Sequence, residues 1–170
     1  MKKLIVVRHA KSSWANTGQT DFERPLNERG ENDAPKMAMR LKNRDIKPQL
    51  FVCSPAKRAR QTCKAFCKIY GYNADDILFI DKLYHAPKTV FYEVLEALDD
   101  AADTAIIFSH NPGITDFVNS LCTDVFIDNM PTSGIFAVEM EIETWKDFKP
   151  AHNRFLLFDH PKNISGQLSD

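Results

Sequence analysis

The heptapeptide Leu4-Ile-Val-Val-Arg-His-Ala10 decides how the chain is read: four apolar residues, three of them β-branched, run straight into an arginine and a histidine. An almost continuously apolar run from Lys3 to Val7 is the pattern of a strand covered on both faces, which belongs inside a sheet. Two later stretches repeat the design. Leu50-Phe-Val-Cys-Ser-Pro55 is followed by Arg58, and Ala105-Ile-Ile-Phe-Ser109 is followed by His110. Open parallel α/β sheets bind ligands outside the carboxyl ends of their strands. Three strands that each end in a cationic or nucleophilic group therefore predict one convergent anion site.

Outward from these strands, the polar segment Lys11 to Arg24 shows no sustained periodicity, and a loop of that length is usually functional or mobile. Asn27 is a good N-cap for a helix reaching about Arg44, with Ala34, Met37, Ala38 and Leu41 on one face. Pro35 either kinks that helix or marks its first turn. Ser54-Pro55 reads as cap and first helical position of a second helix to about Tyr70, ended by Gly71 and Asn73. Arg58 then lies in a first turn, where free N–H groups and the macrodipole favour an anion. A short strand Ile77 to Ile80, a loop Tyr84 to Pro87, and helices Val90 to Leu98 and Ile114 to Cys122 complete the alternation. Ile135 to Ile142 and Arg154 to Asp159 read as two closing strands, expected to be antiparallel, around a turn at Trp145 to Pro150. Strands alternating with helices predict a three-layer α/β/α sandwich with a mostly parallel central sheet.

The 170 residues are read as one domain over 1–170, with neither repeat nor linker to divide it. With 22 Lys and Arg against 23 Asp and Glu, the net charge is −1. No global field recruits nucleic acid or an anionic membrane, so phosphate recognition has to be local. The cluster Lys57-Arg58-Ala-Arg60 is too short to change this. No apolar run approaches the roughly 18 residues of a membrane span, and Met1-Lys-Lys-Leu lacks the apolar region of a signal peptide. A cytoplasmic location is expected. Cys53, Cys63, Cys67 and Cys122 are read as thiols; Cys63 and Cys67, four residues apart, share a core-facing helix side with no ligand partners that would make a metal site. Neither cofactor nor metal is expected, and the oligomeric state is not readable.

Arg8-His9 after an N-terminal strand, Ser54-Pro55 with Arg58 and Gln61-Thr62, and Ser109-His110 after a later strand resemble the histidine phosphatase superfamily, also called phosphoglycerate mutase-like. The short chain and Arg24-Pro25-Leu26 look most like its SixA-type phosphohistidine phosphatases. The resemblance runs from Lys3 to about Phe158, with one departure: Ala10 stands where the family usually has glycine, and a close approach survives if φ is negative there. The resemblance implies that His9 is a nucleophile forming a phosphohistidine that water hydrolyses, and that His110 is a second catalytic histidine stabilising the transferring group. Arg8 and Arg58 suit bidentate phosphate binding. A neutral imidazole is a competent nucleophile at pH 7.

Other candidates are ambiguous. Arg24 either reaches the phosphate or pins its loop through Asp21 or Glu23. Lys11 and Ser12 follow the nucleophile and could touch substrate; His85 or Tyr84 could line the pocket or lie at the surface. His152 and His160 are assigned no role. Ester-cleaving branches of the family supply a carboxylic acid to protonate the leaving oxygen, yet Asp81, Glu93 and Glu96 are not clearly placed for it. A missing acid favours a leaving group that needs little help, such as the nitrogen of phosphohistidine in a protein. A small phosphorylated metabolite is the alternative substrate, and a phosphate-binding interaction module the alternative without catalysis.

Overall fold

The structure, a computed structural model describing residues 1–163, is a six-stranded sheet between two pairs of helices. In chain order the elements are β1 (Lys2–Arg8), α1 (Glu28–Lys42), β2 (Leu50–Cys53), α2 (Lys57–Tyr70), β3 (Leu78–Phe79), α3 (Lys88–Glu96), β4 (Thr104–Ser109), α4 (Gly113–Leu121), β5 (Ile135–Met140) and β6 (Arg154–Asp159). The order across the sheet is β3-β2-β4-β1-β5-β6. β1, β2, β3 and β4 pair in parallel, whereas β5 runs antiparallel to both β1 and β6. The mostly parallel sandwich is thus as expected, and so is the antiparallel last pair. The antiparallel join of β5 to β1 is new. Residues 164–170 of the expected domain lie outside the described residues.

The period-2 alternation of strands separates two cores. Leu4, Val6, Val52, Ala105 and Ile107 face α3 and α4, where Phe91, Leu95, Phe117 and Leu121 are fully buried. Ile5, Val7, Phe51, Ile106 and Phe108 face α1 and α2, against Met37, Leu41, Cys63 and Phe66. β1 is covered on both faces, as its unbroken apolar run requires. The four cysteines are free, buried thiols. Among the described residues no helix is long and apolar enough to cross a membrane.

Several boundaries move for physical reasons. Asn27 caps α1 by accepting a 2.9 Å bond from the Gly30 N–H, as expected. Pro35 lies inside α1, half-buried, so it does not mark the first turn. Ser54 does not cap α2: the helix begins at Lys57 after Ala56, and the Ser54 hydroxyl is committed elsewhere. Gly71 ends α2 in the left-handed conformation, φ 67°, where a Cβ would be strained.

The loop from Lys11 to Arg24 is closed at its base. Ser12 bridges Leu26, the Ser13 N–H donates to the Pro25 carbonyl at 2.8 Å, and the Asn27 N–H to the Lys11 carbonyl at 3.0 Å. This closure brings α1 so near that a Cβ on Gly30 would overlap the Lys11 backbone. Replacing Gly30 with alanine is therefore expected to cost about 1–3 kcal/mol, the usual range for forcing atoms into a filled site. Urea unfolding of the variant, read as a lowered midpoint at unchanged slope, checks this.

Candidate active site

The carboxyl ends of β1, β2 and β4 lie side by side, with Cys53 opposite Phe108 and Arg8 opposite Ser109 in register. The residues that follow them meet in one cavity of about 340 Å³, lined among others by Arg8, His9, Arg58 and His110. That size suits a phosphorylated side chain. Lys11, Ser12, Arg24 and His85 line it too, whereas Tyr84, the other residue of its loop considered for the pocket, is not among the lining residues.

His9 is 6% exposed. Its Nδ1 lies 2.8 Å from the Ala10 carbonyl, which can only accept, so the proton belongs on Nδ1. Nε2 then carries the lone pair, and Arg58 Nε–H donates to it at 3.4 Å. Burial is the main force on this ring and pushes its pKa down to about 3, with Arg58, Arg8 and Arg24 adding to the depression and the Ala10 bond opposing it. The imidazole is neutral at pH 7. Thr62 fixes the backbone here: its hydroxyl accepts from the Ala10 N–H at 2.9 Å and donates to the Arg58 carbonyl at 2.8 Å. Ala10 is fully buried and keeps a negative φ, so its methyl group is accommodated.

The His110 ring centroid lies 5.1 Å from that of His9. Its Nε2 is 2.7 Å from the Ser54 hydroxyl, the bond that takes Ser54 away from the helix terminus. Burial, then His9 and Arg58, lower its pKa to about 2. Arg8 reaches the Met130 carbonyl with Nη1 at 2.8 Å. Arg8 Nε and His110 Nδ1 are buried with no hydrogen-bond partner among the described residues. Arg8 Nε–H is thus a buried donor without an acceptor, which costs about 1–3 kcal/mol, and a phosphoryl oxygen could supply that acceptor.

Asp21 was missed as a site residue. Its backbone carbonyl accepts from Arg58 Nη1 at 2.7 Å and its carboxylate from Arg58 Nη2 at 3.1 Å. The same carboxylate accepts from Arg24 Nη1 at 2.8 Å and from the Tyr84 hydroxyl at 2.6 Å, and His85 Nε2 lies 3.8 Å away. Burial raises the carboxyl's pKa, but Tyr84, Arg58 and Arg24 outweigh it and hold it down at about 2. Asp21 is thus an anion already seated between two arginines. Arg24 pins the loop through Asp21, not Glu23, and holds the Ser12 hydroxyl and the Ser13 carbonyl as well. Asp81, Glu93 and Glu96 are exposed and line no part of the cavity.

Four cations and one carboxylate surround a neutral, buried imidazole, an arrangement whose charge suits a phosphoryl group. The model of the histidine phosphatase superfamily, branch 1, matches residues 4–77, the stretch that carries Arg8, His9 and Arg58. In overall structure the chain is similar to SixA proteins. A SixA protein of Agrobacterium tumefaciens, assigned as a phosphohistidine phosphatase, superposes with a TM-score of 0.76 at 26% identity, over 94% of this chain and 99% of that one. An uncharacterized protein of Mycobacterium tuberculosis is 28% identical over 92% of this chain and 100% of its own length. An uncharacterized chloroplastic protein of Arabidopsis thaliana is 38% identical over 49% of this chain, a match that spans 38% of that relative's length.

Proposed function

We propose that the chain is a phosphatase acting through a covalent phosphohistidine on His9, and that its substrate is phosphohistidine in a protein. The observation that carries the first half is the fixed tautomer of His9, with its proton held on Nδ1 by Ala10 and the Nε2 lone pair at the mouth of an arginine-lined cavity. Nε2 attacks phosphorus in line, and the bond from phosphorus to the leaving atom breaks with its electron pair going to that atom. Water then adds to phosphorus, the bond to Nε2 breaks, and dihydrogen phosphate leaves a neutral His9. Arg8 and Arg58 meet the non-bridging oxygens, and His110 supplies a further donor.

The second half rests on Asp21. Held ionised by Tyr84 and two arginines, it has no proton to give a leaving alkoxide. An imidazole protonated on its second nitrogen departs as neutral imidazole with no proton transfer at all. The assignment of the similar A. tumefaciens protein to phosphohistidine agrees. In EDTA, kcat/KM for a phosphohistidine-bearing protein domain is expected to exceed that for an aryl phosphate at least about tenfold, a difference of 1.4 kcal/mol in barrier, with His9→Ala as the blank. Preference for the aryl ester would overturn the substrate reading and make Asp21 and His85 the first residues to test as proton donors.

A further inference from the structure

One residue of the cavity takes no part in the phosphoryl chemistry above. Trp14 lines the cavity with the arginines and histidines, yet is 72% exposed. Its indole lies over the Arg24 guanidinium, whose central carbon is 3.4 Å from the ring centroid. Arg24 is itself 8% exposed and anchored at three points, on the Ser13 carbonyl, the Ser12 hydroxyl and the Asp21 carboxylate. One indole face therefore rests on a fixed support, and the other is open at the site's mouth. The ring is held in place before any ligand arrives, which removes part of the ordering cost of binding.

We infer that Trp14 is the specificity-determining residue of the site, stacking on the imidazole ring of the phosphohistidine substrate while the phosphoryl group sits at His9. This rests on the substrate reading above. Arg8, Arg58 and His110 meet phosphoryl oxygens that every substrate shares, so they cannot tell one leaving group from another. Selection falls to residues that touch the leaving group. Trp14 is the one large apolar side chain among those lining the cavity, and an indole face recognises flat rings. The ring to be expelled carries a proton, and an indole face also attracts cations. Asp21, ionised in the same cavity, adds to that attraction.

The test compares N-phosphohistidine with phosphoramidate, which has the same P–N bond and no ring, in wild type, Trp14→Ala and Trp14→Phe. Trp14→Ala is expected to lower kcat/KM for phosphohistidine about tenfold, in line with aromatic pair energies, and to change that for phosphoramidate less than twofold. Trp14→Phe is expected to recover most of the loss. Being so exposed, position 14 tolerates both changes without loss of fold. Losses of equal size on both substrates, or none on phosphohistidine, would overturn the role of Trp14 alone. A wild-type enzyme that cleaves aryl phosphate but neither P–N compound would overturn the substrate reading and this inference with it. Acrylamide quenching gives a second readout, because the other tryptophan, Trp145, is fully buried. In His9→Gln, phosphohistidine is expected to shield Trp14 and inorganic phosphate to leave it open; equal shielding by both would sink the stacking.

Discussion

His9→Gln is expected to lower kcat/KM by at least about 10⁴-fold, the order seen when a nucleophile that works as part of a unit is removed. Glutamine keeps a polar side chain of comparable length but has no lone pair able to form the covalent intermediate, so binding survives and turnover does not. Brief exposure to ³²P-labelled substrate, followed by an alkaline quench, should label wild type and leave the variant blank. The same variant has a second signature. His9 titrates at about 3 in the folded chain and near 6.5 when unfolded. Between those values the unfolded chain binds more protons, so stability falls as pH drops from 6.5 towards 3. At pH 5 that penalty approaches about 2 kcal/mol, one and a half pH units at 1.36 each. Glutamine does not titrate. The variant should therefore lose less stability than wild type between pH 7 and pH 5 in urea titrations, and parallel losses would mean that His9 is not buried neutral.

The parts of this site that were legible in the sequence are those written in neighbouring residues. An apolar run that stops at Arg8-His9 or Ser109-His110 states both a buried strand and what stands at its end. Asn27 with Gly30, and Gly71 after Tyr70, carry their capping chemistry within a few positions. Ser54 failed for the opposite reason. Ser-Pro spells a helix cap locally, but its hydroxyl is claimed by His110, 56 residues later in the chain, and no local pattern announces that. Asp21 is the same case: in a polar loop without periodicity it looks like any solvated aspartate. Its meaning comes from Arg58, Arg24 and Tyr84, of which only Arg24 is near in sequence. Gln61-Thr62 did carry a signal, as part of the motif, without showing that Gln61 would hold the Leu26 N–H at 2.8 Å and Thr62 that of Ala10. The direction of β5 was not legible either, since an apolar β1 states that it has neighbours and not which way they run.

Arg58→Ala is expected to lower kcat/KM about 10³-fold, through kcat and KM together. Removing one preorganised donor from a site that stabilises developing charge costs about 10²–10³, and Arg58 holds more than one position at once. Its Nε–H faces the Nε2 of His9, where the phosphoryl group must arrive, while both Nη groups are tied to Asp21. Asp21 therefore orients the guanidinium so that Nε, not the tip of the fork, meets the reacting centre. Without Arg58, the carboxylate keeps Tyr84 and Arg24 but loses a buried counter-charge, and its pKa should rise. Less positive charge then offsets its repulsion of an incoming phosphoryl dianion, which is why KM as well as kcat should suffer. Arg58→Lys restores a charge but not the planar fork. It should recover less than tenfold of the loss, because an ammonium group cannot serve His9 and both Asp21 acceptors in one geometry. Free guanidinium added to Arg58→Ala should recover part of kcat at millimolar concentration, where added ammonium does not. A lysine variant as active as wild type would show that position 58 needs only a point charge, and would take Asp21 out of the positioning role.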